Sequence, residues 1–368
     1  MDLLRAKRAL GLMSGSSLDG VNAAVISTDG VDVFEFGPIL DVPFEDELRE
    51  KLRWFHRHYK DAEAEEKEQL EKEFTEFHAA IVKDIINDYD EKIDIIGFAG
   101  HIVAHSPAEQ FILQLGDGQL LANLCGIKTV SRFRQADMLS GGQGAPLSAL
   151  YHQALGHDLP KPLVVVDIGG ISSLTWIGEN GEMMAFDVGP GNNAINDWVF
   201  KHGGQHMDYN GKLAAIGTVH MPIVNQLMRH KYLAKFPPKA ANKNTFNDKL
   251  EHLEGLSLED GAAAATSFVA EAIAYSMALY LPQRPKMVIV CGGGAKNPTL
   301  VRFLRQRLEE MEVKTAADMG WDASAIEAQA FAYLAVRREN FMPATYPFTT
   351  GVREPCICGE VFEPQPGK

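Results

Sequence analysis

RALGLMSGSSLDGVNAAVISTDGVDVFEF (residues 8–36) and PLVVVDIGGISSLTWIGENGEMMAFD (residues 162–187) share one plan. In each, an apolar strand runs into a glycine-bearing turn, returns as a second strand and turns again into a third. Asp29-Gly30 and Asn180-Gly181 mark the second turn; such pairs between β-patterned runs are the strongest short-range hairpin signal. A helical segment follows each meander. Two such units predict two similar α/β lobes, with a nucleotide's phosphates held by two glycine turns, and a kinase is the leading expectation.

Composition is compatible with this. At 368 residues the chain is long for one core, so two domains are expected. The 46% hydrophobic and 23% charged content is that of an ordinary soluble globular protein. No apolar stretch is expected to approach the ~20 residues that span a bilayer. The start, MDLLRAKRALGLM, is too short for a signal peptide, and a cytoplasmic protein is expected. The net charge of −14 argues against nucleic acid or an anionic membrane as the main partner. It still permits one nucleotide, because backbone N–H groups hold phosphates locally. Cys125 and Cys291 read as buried thiols. Cys356 and Cys358 form a C-x-C without a second ligand pair, so a metal role there is disfavoured.

Between the meanders, residues 44–89 carry Leu48, Leu52, Phe55 and Tyr59, then Leu70, Phe74, Phe77, Ile81 and Ile85, at helical spacing. The charged run DAEAEEKEQ between them reads as a turn or a solvated face. His56, His58 and His78 read as partly exposed helix residues rather than metal ligands. KIDIIGFAGHIV (92–103) reads as a buried strand entering a loop, and residues 110–127 as strand, Gly-Asp-Gly turn and helix. Residues 128–155 hold a polar glycine-rich loop before a helix opening with Pro146; a strand, loop and helix in that order typically line a ligand site. After the second meander, Asn192 or Asn193 is placed to cap a helix. Residues 218–260 read as a polar surface excursion, and an Ala-rich helix is expected over 259–281. KMVIVCGGGAKNPTLVRFL reads as a strand, a three-glycine turn and a helix with Pro in its first turn. SAIEAQAFAYLAVRREN makes a final helix.

Three glycine turns follow expected strands: Ser14-Gly15-Ser16-Ser17, Gly169-Gly170 and Gly292-Gly293-Gly294. Glycine lets backbone approach a phosphate so that successive N–H groups converge on it. One such turn is weak evidence, since hairpins use glycine without a ligand. Three in one chain, two of them matched in a repeated unit, favour a nucleotide. None fits the G-x-x-x-x-G-K-[ST] or G-x-G-x-x-G patterns.

Five stretches carry a resemblance. GLMSGSSLDGVNAA resembles G-[LV]-M-S-G-T-S-L-D-G-[VI]-D, SRFRQADMLSGGQGAPL resembles F-R-x-x-D-x-x-x-G-G-Q-G-A-P-L, and FDVGPGNNAINDW resembles F-D-T-G-P-G-N-x-x-x-D-x-W. VCGGGAKNPTL and AIEAQAFAYLA resemble an adenosine loop and a late helix. These are motifs of the anhydro-N-acetylmuramic acid kinase family, within the actin/hexokinase/Hsp70 ATPase superfamily, and the similarity runs over nearly the whole chain.

The resemblance implies an α/β fold of two ribonuclease H-like lobes with an ATP cleft between them. The lobes are expected at residues 1–130 plus 346–368 and at 131–345. It implies ATP contacts at Ser14, Gly15, Ser16, Ser17, Asp19, Gly20, Gly169, Gly170, Gly292, Gly293, Gly294 and Asn297. Mg²⁺ would bridge the phosphates, with Asp167 as a metal contact. Asp187 would be the general base for a water that opens a 1,6-anhydro ring while O6 takes the γ-phosphoryl group; the reading beside it is a turn-forming Asp before Gly-Pro. Arg134, Asp137, Gln143, Asn192 and Glu327 would line the sugar site, although Arg134 also reads as a surface charge and Glu327 as an ordinary ion-pair partner. The partners implied are ATP and a small anhydrosugar, and similar proteins are commonly dimers, so a homodimer is one expectation.

The chain also departs from the family. His-Gly-Gln-Thr-Val becomes Ala99-Gly100-His101-Ile102-Val103, and Asn before the second Gly-Gly becomes Asp167. Pro-Pro-Lys-Ser-Thr-Gly-Arg-Glu becomes Pro237-Pro238-Lys239-Ala240-Ala241-Asn242-Lys243-Asn244. Donors that pair with substrate polar groups set specificity. Two further readings therefore stand beside the first: a kinase of another 1,6-anhydrosugar such as levoglucosan, and a non-catalytic ATP- or sugar-binding relative.

Overall fold

A computed structural model describes residues 5–15, 18–242, 245–246 and 250–365. The chain divides into two compact units, one of Met1–Leu155 with Glu327–Lys368 and one of Gly156–Ile326.

The first unit is built on a six-stranded sheet. Lys7–Ser14 (β1), Gly20–Thr28 (β2) and Val33–Pro43 (β3) form the antiparallel meander read from the sequence. Helices Asp46–His58 (α1) and Ala64–Asp88 (α2) follow, burying Leu48, Leu52 and Phe55, and Leu70, Phe74, Ile81 and Ile85. The acidic run between them mostly becomes the start of α2. The Glu66 carboxylate accepts the Glu63 N–H at 3.0 Å, and negative charge there complements the helix dipole. Ile95–Phe98 (β4) joins β1 in parallel. His101–Ser106 (β5) and Phe111–Leu115 (β6) make a separate hairpin, so the expected loop after β4 continues as a strand. Gly118–Cys125 (α3), capped by the Asp117 carboxylate, leads to Thr129–Ser131 (β7), parallel to β4. Phe133–Leu139 (α4) and Ala149–Leu155 (α5) follow.

The late helix Ile326–Glu339 returns to this sheet. Gly11 and Gly97, partners across β1 and β4, lie under it: a Cβ on Gly11 would fall 1.7 Å from the Ala328 carbonyl oxygen, and one on Gly97 2.0 Å from that of Phe331. The helix rests backbone-first on the strands, which only glycine permits. Tyr151 on α5 donates to Gln329 on the same helix at 2.8 Å. The strand Glu360–Phe362 closes the sheet against β7. These contacts put residues 131–155 and 327–345 in the first unit, so its boundaries differ from those expected at 130/131 and 345/346.

The second unit repeats the plan. Leu163–Ile168 (β8), Ile171–Ile177 (β9) and Met183–Pro190 (β10) form the second meander, and Met287–Cys291 (β11) and Glu312–Thr315 (β12) extend it in parallel. Its order, β10-β9-β8-β11-β12, matches β3-β2-β1-β4-β7 of the first unit strand for strand. That duplication is the arrangement expected of two ribonuclease H-like lobes. Helices Asn192–Gly203 (α6), Lys212–Ile216 (α7), Met221–Leu227 (α8), Leu258–Tyr280 (α9) and Pro298–Arg307 (α10) accompany this sheet.

Several expectations are corrected. The 23-residue α9, with a mean hydropathy of 1.4 over its best window, is long and apolar enough to cross a membrane, contrary to the sequence reading. Most of that window is buried, and Ala262–Ala265, Phe268, Val269, Ala272 and Ile273 lie in the unit's core. Residues 218–260 are more than a polar excursion, because Val224, Leu227, Tyr232, Leu233, Phe246 and Leu253 join that core. Pro146 precedes α5 by three residues instead of opening it. His78 is fully buried among Phe74, Phe77 and Phe98, where desolvation lowers its pKa to about 4. Cys125 is only half-buried, and Cys291 is buried as expected.

Candidate active site

In the second unit, one register row crosses four strands. Cys291 on β11 pairs with Asp167 on β8, Asp167 with Ser173 on β9, and Ser173 with Asp187 on β10. Directly opposed residues share a sheet face. Asp167 and Asp187 therefore stand on one face, two strands and about 10 Å apart at ordinary strand spacing. A register shift follows immediately after Asp187, a distortion that commonly re-aims side chains near active sites.

Asp187 is 7% exposed and held by backbone on both sides. Its N–H donates to the Lys239 carbonyl at 3.0 Å, and its Oδ2 accepts the Ala241 N–H at 2.8 Å. The Tyr232 hydroxyl donates to its carbonyl at 2.9 Å. Residues 239–241 thus run as a strap along the β10 edge. Lys239 is buried with its Nζ 4.7 Å from the Tyr280 ring centroid and 4.9 Å from that of Tyr232. Burial lowers the Lys239 pKa to about 8, with Lys235 pushing the same way and the Asp187 charge opposing.

The second and third glycine turns sit at the ends of β8 and β11. Asn192, the first residue of α6, donates from Nδ2 to the Ile168 carbonyl at 2.9 Å and from its backbone to the Gly169 carbonyl at 2.8 Å. The N-cap is Gly191, so neither Asn192 nor Asn193 caps the helix as expected. A Cβ on Gly292, where φ is +71°, would fall 2.2 Å from Asp167 Oδ1, and one on Gly293 3.3 Å from Asn192 Nδ2. Asp167, Gly169, Gly170, Asn192, Gly292 and Gly293 are therefore drawn together at the tips of two adjacent parallel strands. Asn297 caps α10 by accepting from Thr299 and Leu300 N–H groups, which engages the side chain expected to meet ATP.

In the first unit, Ser14 ends β1 and its hydroxyl lies 3.2 Å from His101 Nδ1; His101 Nε2 lies 2.6 Å from His56 Nε2. Ser16 and Ser17 lie outside the described residues. Gly15 accepts from the Leu18 N–H, Asp19 is exposed, and Gly20 packs where a Cβ would meet the Val42 carbonyl at 2.1 Å. Asp137 is fully buried. It accepts the Gly144 N–H at 2.7 Å and the Thr350 hydroxyl at 2.5 Å, while Gln143 donates its N–H to the Thr350 carbonyl. Its carboxylate shapes the Gly141–Gly144 loop from behind.

Arg134 donates to the Gly144 carbonyl at 2.8 Å. Burial, with the Arg134 guanidinium adding to it, lowers the His105 pKa to about 4. Burial raises Glu327 on the late helix, and Arg134 partly offsets this, so Arg134 and Glu327 work in one electrostatic neighbourhood. Cys356 and Cys358 lie 3.9 Å apart at sulfur; the Cys358 thiol bond and the Ser140 hydroxyl lower Cys356 to about 6.

Asp137→Ala should leave two buried donors without an acceptor, at a cost on the order of 3 kcal/mol in urea unfolding. Unchanged stability with a raised sugar KM would instead make Asp137 a sugar ligand.

Lys239, Tyr232 and Ser173 went unnoticed as site residues in the sequence. A lysine after two prolines gives no hint of burial, whereas Ser173 could have been found by aligning the strands of the meander.

A family profile described as anhydro-N-acetylmuramic acid kinase matches residues 7–364. The chain belongs to that family. Membership makes it an ATP-dependent sugar kinase. Relatives bearing the family's name come from Paramagnetospirillum magneticum, 42% identical over 97% of this chain and 99% of the relative, and Rhodospirillum rubrum, 40% identical over 95% and 93%. Among solved structures, (R)-2-hydroxyglutaryl-CoA dehydratase component A from Acidaminococcus fermentans is 14% identical, with a TM-score of 0.47 over 91% of this chain and 99% of that one. A ROK family glucokinase from Streptomyces griseus, solved with glucose and AMPPNP, is 11% identical, with a TM-score of 0.40 over 89% and 99%.

Proposed function

We propose that the chain phosphorylates 1,6-anhydro-N-acetylmuramic acid at O6 with ATP while water opens the anhydro ring, giving N-acetylmuramic acid 6-phosphate in the cytoplasm. The observation that carries this reading is Asp187: a nearly buried carboxylate at a strand end, fixed by backbone on two sides. Such a group suits a general base, which must be aimed before it can abstract a proton. Asp187 takes a proton from water, and the water oxygen bonds to C1 of the sugar. The C1–O6 bond breaks, and O6 bonds to the γ-phosphorus as ADP leaves. Atoms balance as sugar, ATP and water in, and 6-phosphosugar, ADP and the proton that Asp187 passes to solvent out.

Each unit's glycine turn is assigned phosphate binding: Ser14–Gly15 in the first, Gly169–Gly170 in the second, with Gly292–Gly294 facing adenosine. Asp167 fits Mg²⁺, because it is a hard oxygen donor with Ser173 next in its row, and because glycine at 292 spares its Oδ1 a Cβ that would lie 2.2 Å away. Bound there, Mg²⁺ would neutralise phosphate charge. Arg134, Gln143 and Glu327 are assigned to the sugar.

Ala99, His101 and Ile102 favour a second reading, another 1,6-anhydrosugar such as levoglucosan, since His101 is bonded to Ser14 where the family places Gln. ADP release with each sugar, together with product mass, separates the readings. The expected product is heavier than 1,6-anhydro-N-acetylmuramic acid by one phosphoryl group plus one water. A product lacking the water would overturn ring opening, and no ADP above background with any anhydrosugar would overturn both kinase readings.

A further inference from the structure

Lys239 is 4% exposed. A buried ammonium costs several kcal/mol unless its surroundings replace water. Here the replacement is partial. Three rings face the Nζ, with centroids at 4.7 Å (Tyr280), 4.9 Å (Tyr232) and 5.6 Å (Phe186). Two carbonyls, of Leu233 and Tyr232, stand at 3.4 and 3.5 Å, the outer edge of hydrogen bonding. An apolar side chain would fill such a box at less cost, so stability alone does not account for the charge.

Phe186, Tyr232 and Lys239 itself tie the box to Asp187. Phe186 precedes it on β10. Tyr232 closes one wall and donates its hydroxyl to the Asp187 carbonyl. Tyr280 on α9 closes another and donates to the Leu233 carbonyl at 2.7 Å. Lys239 itself accepts the Asp187 N–H, two residues before the Ala241 N–H that holds the carboxylate.

We propose that Lys239 is a positioning residue for the reaction: its ammonium pins the 239–241 strap in register and so keeps the Asp187 carboxylate aimed, and loss of the ammonium's proton frees the strap and sets the alkaline limit of turnover. The inference rests on Asp187 being the general base.

Among the described residues, the charged and titratable groups around the box are Asp187 on β10, Tyr232 and Lys235 in the segment after α8, and Tyr280 on α9. Burial raises both tyrosine hydroxyls, so they stay protonated where Lys239, lowered to about 8, titrates. Below pH about 8 the ammonium is present and supports the carboxylate. As pH rises through that value the charge is lost, and turnover should fall.

The test is kcat against pH for the full chain with ATP and 1,6-anhydro-N-acetylmuramic acid, comparing wild type, Lys239→Arg, Lys239→Met and Asp187→Asn, with thermal melts to confirm folding. Wild type should lose activity above pH about 8. Lys239→Arg should keep activity there, because guanidinium stays protonated. Lys239→Met should lower kcat roughly tenfold or more at neutral pH, move the acid limb up by about one unit for want of the neighbouring cation, and leave the KM for ATP within about twofold. An alkaline limb that persists in both lysine variants, with Asp187→Asn inactive, would overturn the role of Lys239 and leave the base assignment standing. An active Asp187→Asn would overturn the base assignment itself. If Lys239→Met fails to fold, the Lys239→Arg profile decides alone.

Discussion

Asp187→Asn should bind ATP with wild-type affinity and turn over at least ~10² more slowly, the lower end of what loss of a general base costs. The substitution is nearly isosteric. An amide oxygen can still accept the Ala241 N–H at the position of Oδ2, and the backbone bond to Lys239 does not involve the side chain. The strap and the β10 edge should survive, so a loss of turnover reports the missing basicity. The nucleotide contacts assigned to Gly169, Gly170 and Gly292 follow strands β8 and β11, and none of them is a bond to the Asp187 side chain. Calorimetric titration with ATP and single-turnover kinetics together check the prediction. Turnover within tenfold of wild type would show that another group takes the proton from water, while lost ATP binding would show that the variant damages more than the base.

The duplicated meander was legible because each copy carries its own turn chemistry: Asp29-Gly30 and Asn180-Gly181 fix where strands reverse, whatever surrounds them. Of the parallel strands, β4 and β11 were legible as apolar runs leading into glycine, whereas the short β12, EVKT, was not. What the sequence could not convey was tertiary. The resemblance implies Asp137 as a sugar ligand; its fully buried carboxylate accepts from Gly144 and Thr350, the latter 213 residues away. Asn297 looked like a nucleotide contact, and its side chain is a helix cap. Lys239 looked like part of a polar surface excursion, and aromatic rings contributed by β10, the segment after α8 and α9 enclose it. For Asp137 and Lys239 partners distant in the chain decide the role, where local pattern carries no information, whereas the Asn297 cap is local, taken up by Thr299 and Leu300. The family resemblance singles out Asp187, and its position at a strand end before Gly-Pro-Gly is itself local.

Gly11→Ala carries the largest expected cost in stability, above ~3 kcal/mol, beyond the range of ordinary overpacking. The new Cβ would lie 1.7 Å from the Ala328 carbonyl oxygen and 2.9 Å from the Ala332 N. Both are backbone atoms of the late helix, so no rotamer change relieves the clash, and the helix must move off the sheet. Gly97 repeats the constraint on the neighbouring strand, in register with Gly11, so the helix cannot tilt around one point while keeping the other. Glu327 rides on the first turn of this helix, and its placement beside Arg134 should be lost along with stability. Gly126→Ala is the control. That glycine has positive φ, +67°, but nothing lies within 4 Å of its would-be Cβ, so only backbone strain of about 1 kcal/mol is expected. Urea unfolding of both variants measures the contrast. A cost for Gly11→Ala no greater than that for Gly126→Ala would mean that the helix does not rest on the strands through its backbone.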